Sequence, residues 1–148
     1  MKTCHVEASA VIAAPAKRVY SIIADFRDSH GHITPPKYFG PLEVEKGGYG
    51  AGTIIKFSLT VMGQTSACRS IITEPEPGRV LVETETTSGT VTTFTVEADS
   101  SESSRVKIAS DIPLRGFQGF ITGLMAPRVF PKIYAEELHL LESFAKRA

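Results

Sequence analysis

The chain opens with a hydrophobic period of two and then changes to a helical period. Alternation with polar residues predicts a first strand whose inward face carries four small or branched side chains: Val6, Ala8, Ala10 and Ile12. The next stretch, "APAKRVYSIIADF", has a proline suited to a first helical turn and then repeats apolar residues at helical spacing. We therefore expect a short helix there and a second short helix over residues 28–33, which Pro35 and Pro36 end.

From residue 40 to about residue 112 the period is again two. It predicts strands over residues 42–46, 53–61, 65–74, 80–86, 90–98 and 105–112. The connections are short and rich in glycine, proline and serine, so consecutive strands should pair as an antiparallel meander. Each strand has one apolar row, and the opposite rows of Thr, Lys and Glu should form a wet face. The apolar rows are Ile55, Phe57, Leu59 and Val61; Val80 and Val82; Phe94 and Val96; and Val106 and Ile108.

Apolar residues recur at helical spacing over residues 117–145 and predict a long closing helix. Pro127 and Pro131 lie within it and should bend the helix or mark a break. Because a glycine costs about 1 kcal/mol inside a helix, the first part is weakened by three residues: Gly116, Gly119 and Gly123. We expect residues 113–126 to act as a mobile gate and the part after Pro131 to form a rigid wall.

These elements predict an α+β fold. A curved antiparallel sheet of about seven strands should carry two short helices after its first strand and one long C-terminal helix across its concave face. At 148 residues the chain is long enough to bury a substantial core, and no repeat or linker divides it. We therefore expect residues 1–148 to form a single domain.

Composition excludes several classes of partner. Sixteen basic and sixteen acidic residues cancel, so no global field favours nucleic acid or an anionic membrane. No apolar run approaches the ~20 residues of a membrane span, and polar residues interrupt the N-terminal segment where a secretory signal would need a continuous apolar core. Cys4 and Cys68 lack zinc-site spacing. We expect a cytoplasmic protein with reduced thiols, no metal and no cofactor, existing as a monomer or weak dimer.

Three stretches, "VIAAPAKRVYSIIADF", "VEKGGYGAGTIIKF" and "IITEPEPGRVLVET", together with the closing helix, resemble one family. This is the polyketide cyclase/dehydrase and lipid-transport group of the START-like (SRPBCC, birch-pollen-allergen-like) superfamily. The resemblance implies the helix-grip fold, with a mostly apolar cavity between the concave face of the sheet and the long helix. It implies no catalytic residue set, because members share a pocket rather than a reaction. Many members have a tryptophan in the second short helix, and this chain has none.

Residues expected to contact a ligand come from the apolar rows and the helices that would enclose this cavity. They are Phe26, Ile33, Tyr38, Ile55, Phe57, Leu59, Val82, Phe94, Ile108, Phe120, Leu124, Phe130 and Tyr134.

Four side chains are candidates for chemistry: His30, His32, Arg69 and Tyr134. The two histidines can lie at the cavity rim, which we favour, or line the pocket as acid or base; a metal would need a third ligand that no strand clearly offers. Tyr134 either reaches into the cavity or is a core aromatic whose hydroxyl has a local partner. No acidic pair at helical spacing is expected to point inward, and nucleophile-elbow and phosphate-loop motifs are absent.

Which of Cys68 and Arg69 faces inward depends on the hairpin before them. A two- or four-residue loop after Val61 places Cys68 opposite Phe57 and inward, whereas a three-residue loop places Arg69 opposite Ile55. An inward arginine would select an anionic ligand. We favour Arg69 outside, since a buried unpaired guanidinium is costly.

The leading functional hypothesis is a non-catalytic binder or carrier of a hydrophobic or amphipathic molecule, such as a lipid, isoprenoid, quinone or aromatic polyketide. An apolar concave face with few convergent polar groups favours it. The alternative is a polyketide cyclase, aromatase or dehydratase that uses His30 or His32 as a base, with Tyr134 or Arg69 stabilising an enolate. A third hypothesis is a protein-interaction module, which would present an exposed apolar patch rather than a closed pocket.

Overall fold

The structure is a computed structural model that describes residues 2–147. Its strands are β1 (Thr3–Ile12), β2 (Glu43–Lys46), β3 (Ile54–Val61), β4 (Gln64–Glu76), β5 (Val80–Glu85), β6 (Val91–Ala98) and β7 (Ser104–Pro113). Helix α1 (Ala16–Ala24) follows β1, and helix α2 (Gly116–Ala145) closes the chain. The predicted second short helix is only a single 3₁₀ turn, His30–His32.

The strands form one seven-stranded antiparallel sheet in the order β1-β7-β6-β5-β4-β3-β2. Strands β2 to β7 are a meander, and β1 pairs with the last strand along its full length, from Thr3 opposite Pro113 to Ile12 opposite Ser104. This arrangement confirms the predicted α+β class, with the long helix over an open antiparallel sheet. Alternation holds in β1, where Val6 and Ile12 are buried and the residues between them alternate in exposure.

A two-residue turn connects β3 to β4. Met62 and Gly63 have φ values of 53° and 77°, which is the left-handed geometry that closes a tight hairpin without splaying its strands. The turn pairs Val61 with Gln64 and therefore sets Cys68 opposite Phe57. Arg69 lies opposite Lys56 on the other face, where its Nε is 2.9 Å from Glu45 Oε2.

The predicted inward row of β5 is wrong. Leu81 is completely buried and pairs with buried Phe94, whereas Val82 pairs with Thr93 on the opposite face. Directly paired residues of an antiparallel sheet share a face, so the inward row of β5 continues from Leu81 to Glu83 and then to Glu85. The run Val80-Leu81-Val82 offers apolar residues to both faces, and pairing with β6 decides between them.

Helix α2 runs unbroken through Pro127 and Pro131, so the alternative of a break is wrong. Its C-terminal half is docked, because Ile133, Leu138 and Leu141 are almost fully buried. Its N-terminal half leaves Phe117 and Phe120 79% and 70% exposed. No helix within residues 2–147 is long and apolar enough to cross a membrane.

Candidate functional site

A cavity of about 600 Å³ lies between the concave face of the sheet and α2. Strand β3 supplies one wall through its inward row, from Ile55 to Val61, and α2 supplies the other through residues one helical turn apart, such as Met125 and Val129. This size is typical of pockets that enclose small organic molecules. The geometry follows from the two periods seen in the sequence, which give each element one apolar face.

Six of the residues expected to contact a ligand line this cavity: Ile55, Phe57, Leu59, Phe94, Phe130 and Tyr134. Phe26, Ile33 and Ile108 are buried in the core outside the lining. Tyr38 packs half-buried against that core, again outside the lining. Contact with a ligand at all these positions stays a prediction.

Three further positions are placed outside the cavity for identifiable reasons. Val82 points to the opposite face of the sheet, because β5 turns Leu81 inward. Phe120 and Leu124 lie on the solvent side of α2 and are 70% and 53% exposed. The helical stripe that faces the cavity passes instead through Ile121, Met125 and Phe130.

Four titratable side chains of the cavity lining form what we call the inner polar cluster: His30, Glu83, Tyr134 and Glu137. The acids of β5 were expected on the wet face. This expectation is wrong, because Glu83 follows Leu81 on the inward row of β5. The other acid of the cluster, Glu137, projects from the cavity face of α2.

His30 is a buried cavity residue rather than a rim residue, with 2% exposure. Its ring stacks on Phe26 at a centroid distance of 4.4 Å, and its Nδ1 lies 2.7 Å from the carbonyl oxygen of Ile23. A carbonyl oxygen only accepts, so Nδ1 carries the proton and donates it. The lone pair of Nε2 therefore faces Glu83, whose Oε2 is 3.4 Å away.

Burial controls the protonation of this pair. It lowers the pKa of His30 to about 4, against a smaller opposing effect of the Ile23 carbonyl. It also raises the pKa of the Glu83 carboxyl to about 7. Both side chains are therefore neutral between about pH 4 and pH 7. In that range the protonated Glu83 carboxyl can donate to His30 Nε2. The distance of 3.4 Å is long for a hydrogen bond, and Glu83 Oε2 has no hydrogen-bond partner within the described residues.

Glu137 is the second buried acid, with 4% exposure and an Oε2 that also lacks a hydrogen-bond partner within the described part of the chain. Burial raises its pKa well above the usual range, and repulsion from Glu83 adds to the effect. An unpartnered buried carboxyl costs free energy in the empty protein. The two acids are therefore the groups in the cavity that most need a partner.

Tyr134 both lines the cavity and has a local hydrogen-bond partner for its hydroxyl, so the two alternatives considered for it hold together. It lines the cavity, and its hydroxyl is hydrogen-bonded to Ser110, which in turn is 2.6 Å from Thr92 Oγ1. Burial raises the pKa of the phenol above its ordinary value, so it remains neutral.

The other two candidates for chemistry lie outside the cavity. His32 is exposed and stacks on Phe144 with ring centroids 5.1 Å apart, and Arg69 forms its ion pair with Glu45 on the outer face. Within residues 2–147, no group of three or more His, Cys, Asp or Glu side chains is arranged to hold a metal ion.

The lining of the cavity includes a third acid, Glu85. Partial burial opposes its ionisation, but backbone N–H groups of Arg69, Ser88 and Thr87 donate to the carboxylate and lower its pKa overall. Glu85 is therefore a satisfied, ionised group that holds the β5–β6 connection. No lysine or arginine within the described residues lines the cavity.

Two sequence signals point to the acids of the inner polar cluster. Glu83 lies two residues after Leu81, so any argument that places Leu81 inward also places Glu83 inward. Glu137 is three residues after Tyr134 and seven after Phe130, the spacing of one helical face.

The sequence profile of one family, described as polyketide cyclase / dehydrase and lipid transport, matches residues 3–145. The chain belongs to this family. Its members have the START-like, SRPBCC ligand-binding fold, and the resemblance seen in the sequence is confirmed.

Solved structures agree on the fold at low sequence identity. The KanY protein is 21% identical with a TM-score of 0.84, and the alignment covers 99% of both chains. The Zhui aromatase/cyclase from Streptomyces sp. R1128 is 19% identical with a TM-score of 0.77, covering 98% of this chain and 94% of that one. A START superfamily protein from Mycobacterium smegmatis is 13% identical with a TM-score of 0.76, covering 97% of each. No curated protein sequence matches the chain.

Proposed function

We propose that this protein binds a small amphipathic molecule inside the cavity between the sheet and α2. The observation that carries the proposal is the combination of an apolar wall with two buried carboxyl oxygens, Glu83 Oε2 and Glu137 Oε2, that have no partner within the described residues. The apolar part of the ligand would contact β3 and α2, and a polar group would satisfy the inner polar cluster. Membership of a family that includes lipid-transport proteins supports the proposal.

The expected affinity follows from the area that such a ligand would bury. Removing about 300 Å² of apolar surface from water at about 25 cal/mol per Å² contributes roughly 7 kcal/mol. Because an affinity of 1 μM corresponds to about 8 kcal/mol and lost translational and rotational freedom opposes the gain, apolar burial gives an affinity in the micromolar range or weaker. A polar group bound at Glu83 or Glu137 adds orientation, because only one end of the ligand can satisfy those oxygens.

Displacement of the neutral dye Nile red by a panel of lipids, quinones and polyphenols tests the proposal. Leu59→Trp places a large side chain in the cavity and should lower dye affinity at least tenfold. The matched control is Ile71→Trp on the outer face of β4, where Ile71 is 38% exposed; this variant should bind normally. Equal binding by both variants, or no dye binding by the unaltered protein, would contradict the proposal.

A second candidate function is acid–base catalysis, as in a cyclase or dehydratase. The observation that favours it is the convergence of His30, Glu83, Tyr134 and Glu137 on one cavity, with the pKa of His30 lowered to about 4 and that of Glu83 raised to about 7. In a dehydration, a base removes the proton α to a carbonyl while an acid protonates the departing hydroxyl, which leaves as water. A deprotonated Glu83 would be the base, and the protonated Glu137 the acid.

The β-hydroxyketone 4-hydroxy-4-phenylbutan-2-one is a suitable probe for this second function, because its dehydration forms a conjugated ketone with strong ultraviolet absorbance. Catalysis predicts that Glu83→Gln and Glu137→Gln each abolish the absorbance change while Nile red still binds. If the unaltered protein dehydrates the probe no faster than buffer does, catalysis of dehydration for this substrate class is contradicted. The binding proposal is not affected by that result.

A further inference from the structure

Resting on the proposed binding function, we infer that the ligand carries a basic nitrogen, and that Glu83 and Glu137 together bind its ammonium group. The cavity would therefore select cationic amphipathic molecules over neutral ones of the same shape and reject anionic ones such as fatty acids.

The first argument is the charge of the cavity lining. Three carboxyl side chains line it, at Glu83, Glu85 and Glu137, and no lysine or arginine within residues 2–147 does so. His30 does not supply the missing positive charge. Its Nδ1 donates to the Ile23 carbonyl. Burial lowers the pKa of the ring to about 4, so the ring is neutral at any higher pH. An anionic ligand would find like charges and no counter-ion.

The second argument is the contrast between the three acids. The Glu85 carboxylate already accepts from the backbone N–H groups of Arg69, Thr87 and Ser88 at 2.7–3.1 Å. Glu83 and Glu137 each retain a buried Oε2 without a hydrogen-bond partner in the described residues. Among the three acids, an unpartnered buried oxygen within the described residues is therefore found at the two acids of the inner polar cluster, which come from β5 and α2.

The third argument is the match between this arrangement and an ammonium group. An alkylammonium offers three N–H donors and one positive charge, so it can donate to the Glu83 carboxylate and to the unpartnered oxygen of the Glu137 carboxyl, and its charge compensates that of Glu83. Hydrogen bonds between two charged groups are about twice as strong as neutral ones. A hydroxyl has one donor and no charge, so it satisfies one acid at most and leaves the other without compensation.

The site should also respond to pH in a defined direction. The titratable groups facing the two acids are His30 from the 3₁₀ turn, Cys68 from β4, Glu85 from β5 and Tyr134 from α2; the lining residues of β3, β6 and β7 carry none. Cys68 and Tyr134 are neutral through pH 8, since burial raises the pKa of the thiol to about 11 and that of the phenol above its usual value. Glu83 loses its proton near pH 7, while an alkylamine stays protonated. Amine affinity should therefore rise between pH 5.5 and pH 8, and alcohol affinity should not.

Isothermal titration calorimetry with three isosteric probes, 4-phenylbutylamine, 4-phenylbutan-1-ol and 4-phenylbutanoate, tests the inference on the full chain. At pH 7.5 the amine should bind at least tenfold more tightly than the alcohol, and the carboxylate more weakly than both. The double variant Glu83→Gln/Glu137→Gln should lose the tenfold advantage of the amine and bind the alcohol within threefold of the unaltered protein. Glu136→Gln removes a neighbouring exposed acid of α2 and should retain the preference.

The outcomes separate this inference from the function on which it rests. Alcohol binding equal to or tighter than amine binding would overturn the charge selectivity and leave cavity binding standing. An amine affinity that is flat between pH 5.5 and pH 8 in the unaltered protein would also overturn it, without depending on whether the double variant folds. If none of the three probes binds and none displaces Nile red, cavity binding itself fails.

Discussion

At the residue scale, Glu83 couples protonation to folding. Burial raises the pKa of its carboxyl to about 7 in the folded protein, whereas an unperturbed glutamate titrates near 4.5. Between these two pH values the folded state binds more protons than the unfolded chain, so the free energy of unfolding falls as pH rises. At about 1.4 kcal/mol per pK unit, the loss from this group amounts to roughly 3 kcal/mol by pH 7. His30 acts in the opposite sense, since its lowered pKa removes stability as pH falls from 6.5 towards 4.

We predict that Glu83→Gln changes the pH dependence of stability. The variant should be close to the unaltered protein at pH 4.5 and more stable than it by about 2–3 kcal/mol at pH 8, because glutamine has no charge to bury. Urea unfolding at the two pH values measures the difference. Glu136→Gln, on the exposed side of α2, should show the same difference at both. A Glu83→Gln variant whose relative stability does not change with pH would contradict the assignment of Glu83 as a buried acid.

His30 and Glu137 show where single residues escape prediction. A histidine followed by glycine and two prolines resembles a loop at a rim, yet His30 is buried because Phe26 and the Ile23 carbonyl supply an apolar face and an acceptor. Glu137 follows another glutamate in "AEELHLLES", and its charge favours a position in solvent. Its spacing from Tyr134 instead places it on the helix face that lines the cavity. Charge and periodicity disagreed at this position, and periodicity was the better guide.

At the element scale, α2 illustrates two different roles for glycine. A Cβ added at Gly119 would lie 2.7 Å from the carbonyl carbon of Leu114, a backbone atom that cannot move aside cheaply. A Cβ added at Gly123 would meet only the Leu114 side chain, whose Cδ1 would be 3.2 Å away, and a rotation of that side chain can relieve the contact. Gly119 therefore allows close packing of the preceding segment on the helix, in addition to lowering helix propensity.

The two glycines should respond differently to alanine. Gly119→Ala should destabilise the protein by about 1–3 kcal/mol through overpacking, although alanine is the better helix former. Gly123→Ala should be neutral or stabilising by up to about 1 kcal/mol. Thermal unfolding of both variants measures the contrast, and a Gly119→Ala variant as stable as Gly123→Ala would show that the contact with Leu114 is not restrictive.

The two halves of α2 should also exchange amide protons at different rates. Phe117 and Phe120 are 79% and 70% exposed, whereas Ile133 and Leu141 are at most 1% exposed. Few buried contacts mean low local stability, so exchange should be fast across residues 115–125 and slow across 133–145. Ligand in the cavity should slow the first window, which includes the lining residues Gln118, Ile121 and Thr122. Equal protection of both windows without ligand would exclude a gate.

Strand β5 shows the limit of pattern reading for a whole element. Its existence follows from β-branched residues between turns, and its bounds were predicted to within one residue at its C-terminal end. The sequence could not predict which face of β5 points inward. Val80, Val82 and Thr84 lie on one face and Leu81, Glu83 and Glu85 on the other, so each face has both apolar and polar residues. Only the pairing of Leu81 with Phe94 resolves the ambiguity, and such long-range register is absent from a local pattern.

At the scale of the whole molecule, the order of periods and turns was sufficient to predict the sheet and the long helix across it, and the family resemblance implied a cavity between them. Short connections leave antiparallel pairing as the natural solution, and the long amphipathic helix must cover the apolar face. The chemistry of the cavity was not predictable in the same way. The inner polar cluster unites residues 30, 83, 134 and 137 from three elements, and their convergence depends on the face that β5 presents and on the placement of α2.

Methyl NMR on the full chain, titrated with 4-phenylbutan-1-ol, tests cavity binding most directly, because this neutral probe does not depend on charge selectivity. Ile55, Ile112 and Ile121 line the cavity, and Ile71 lies on the outer face of the sheet. Binding inside the cavity predicts saturable shifts of the methyl resonances of the first three residues, with Ile71 unchanged. Saturation without shifts at Ile55 and Ile112, or shifts at Ile121 and Ile71 alone, would place the probe on the surface and contradict the account.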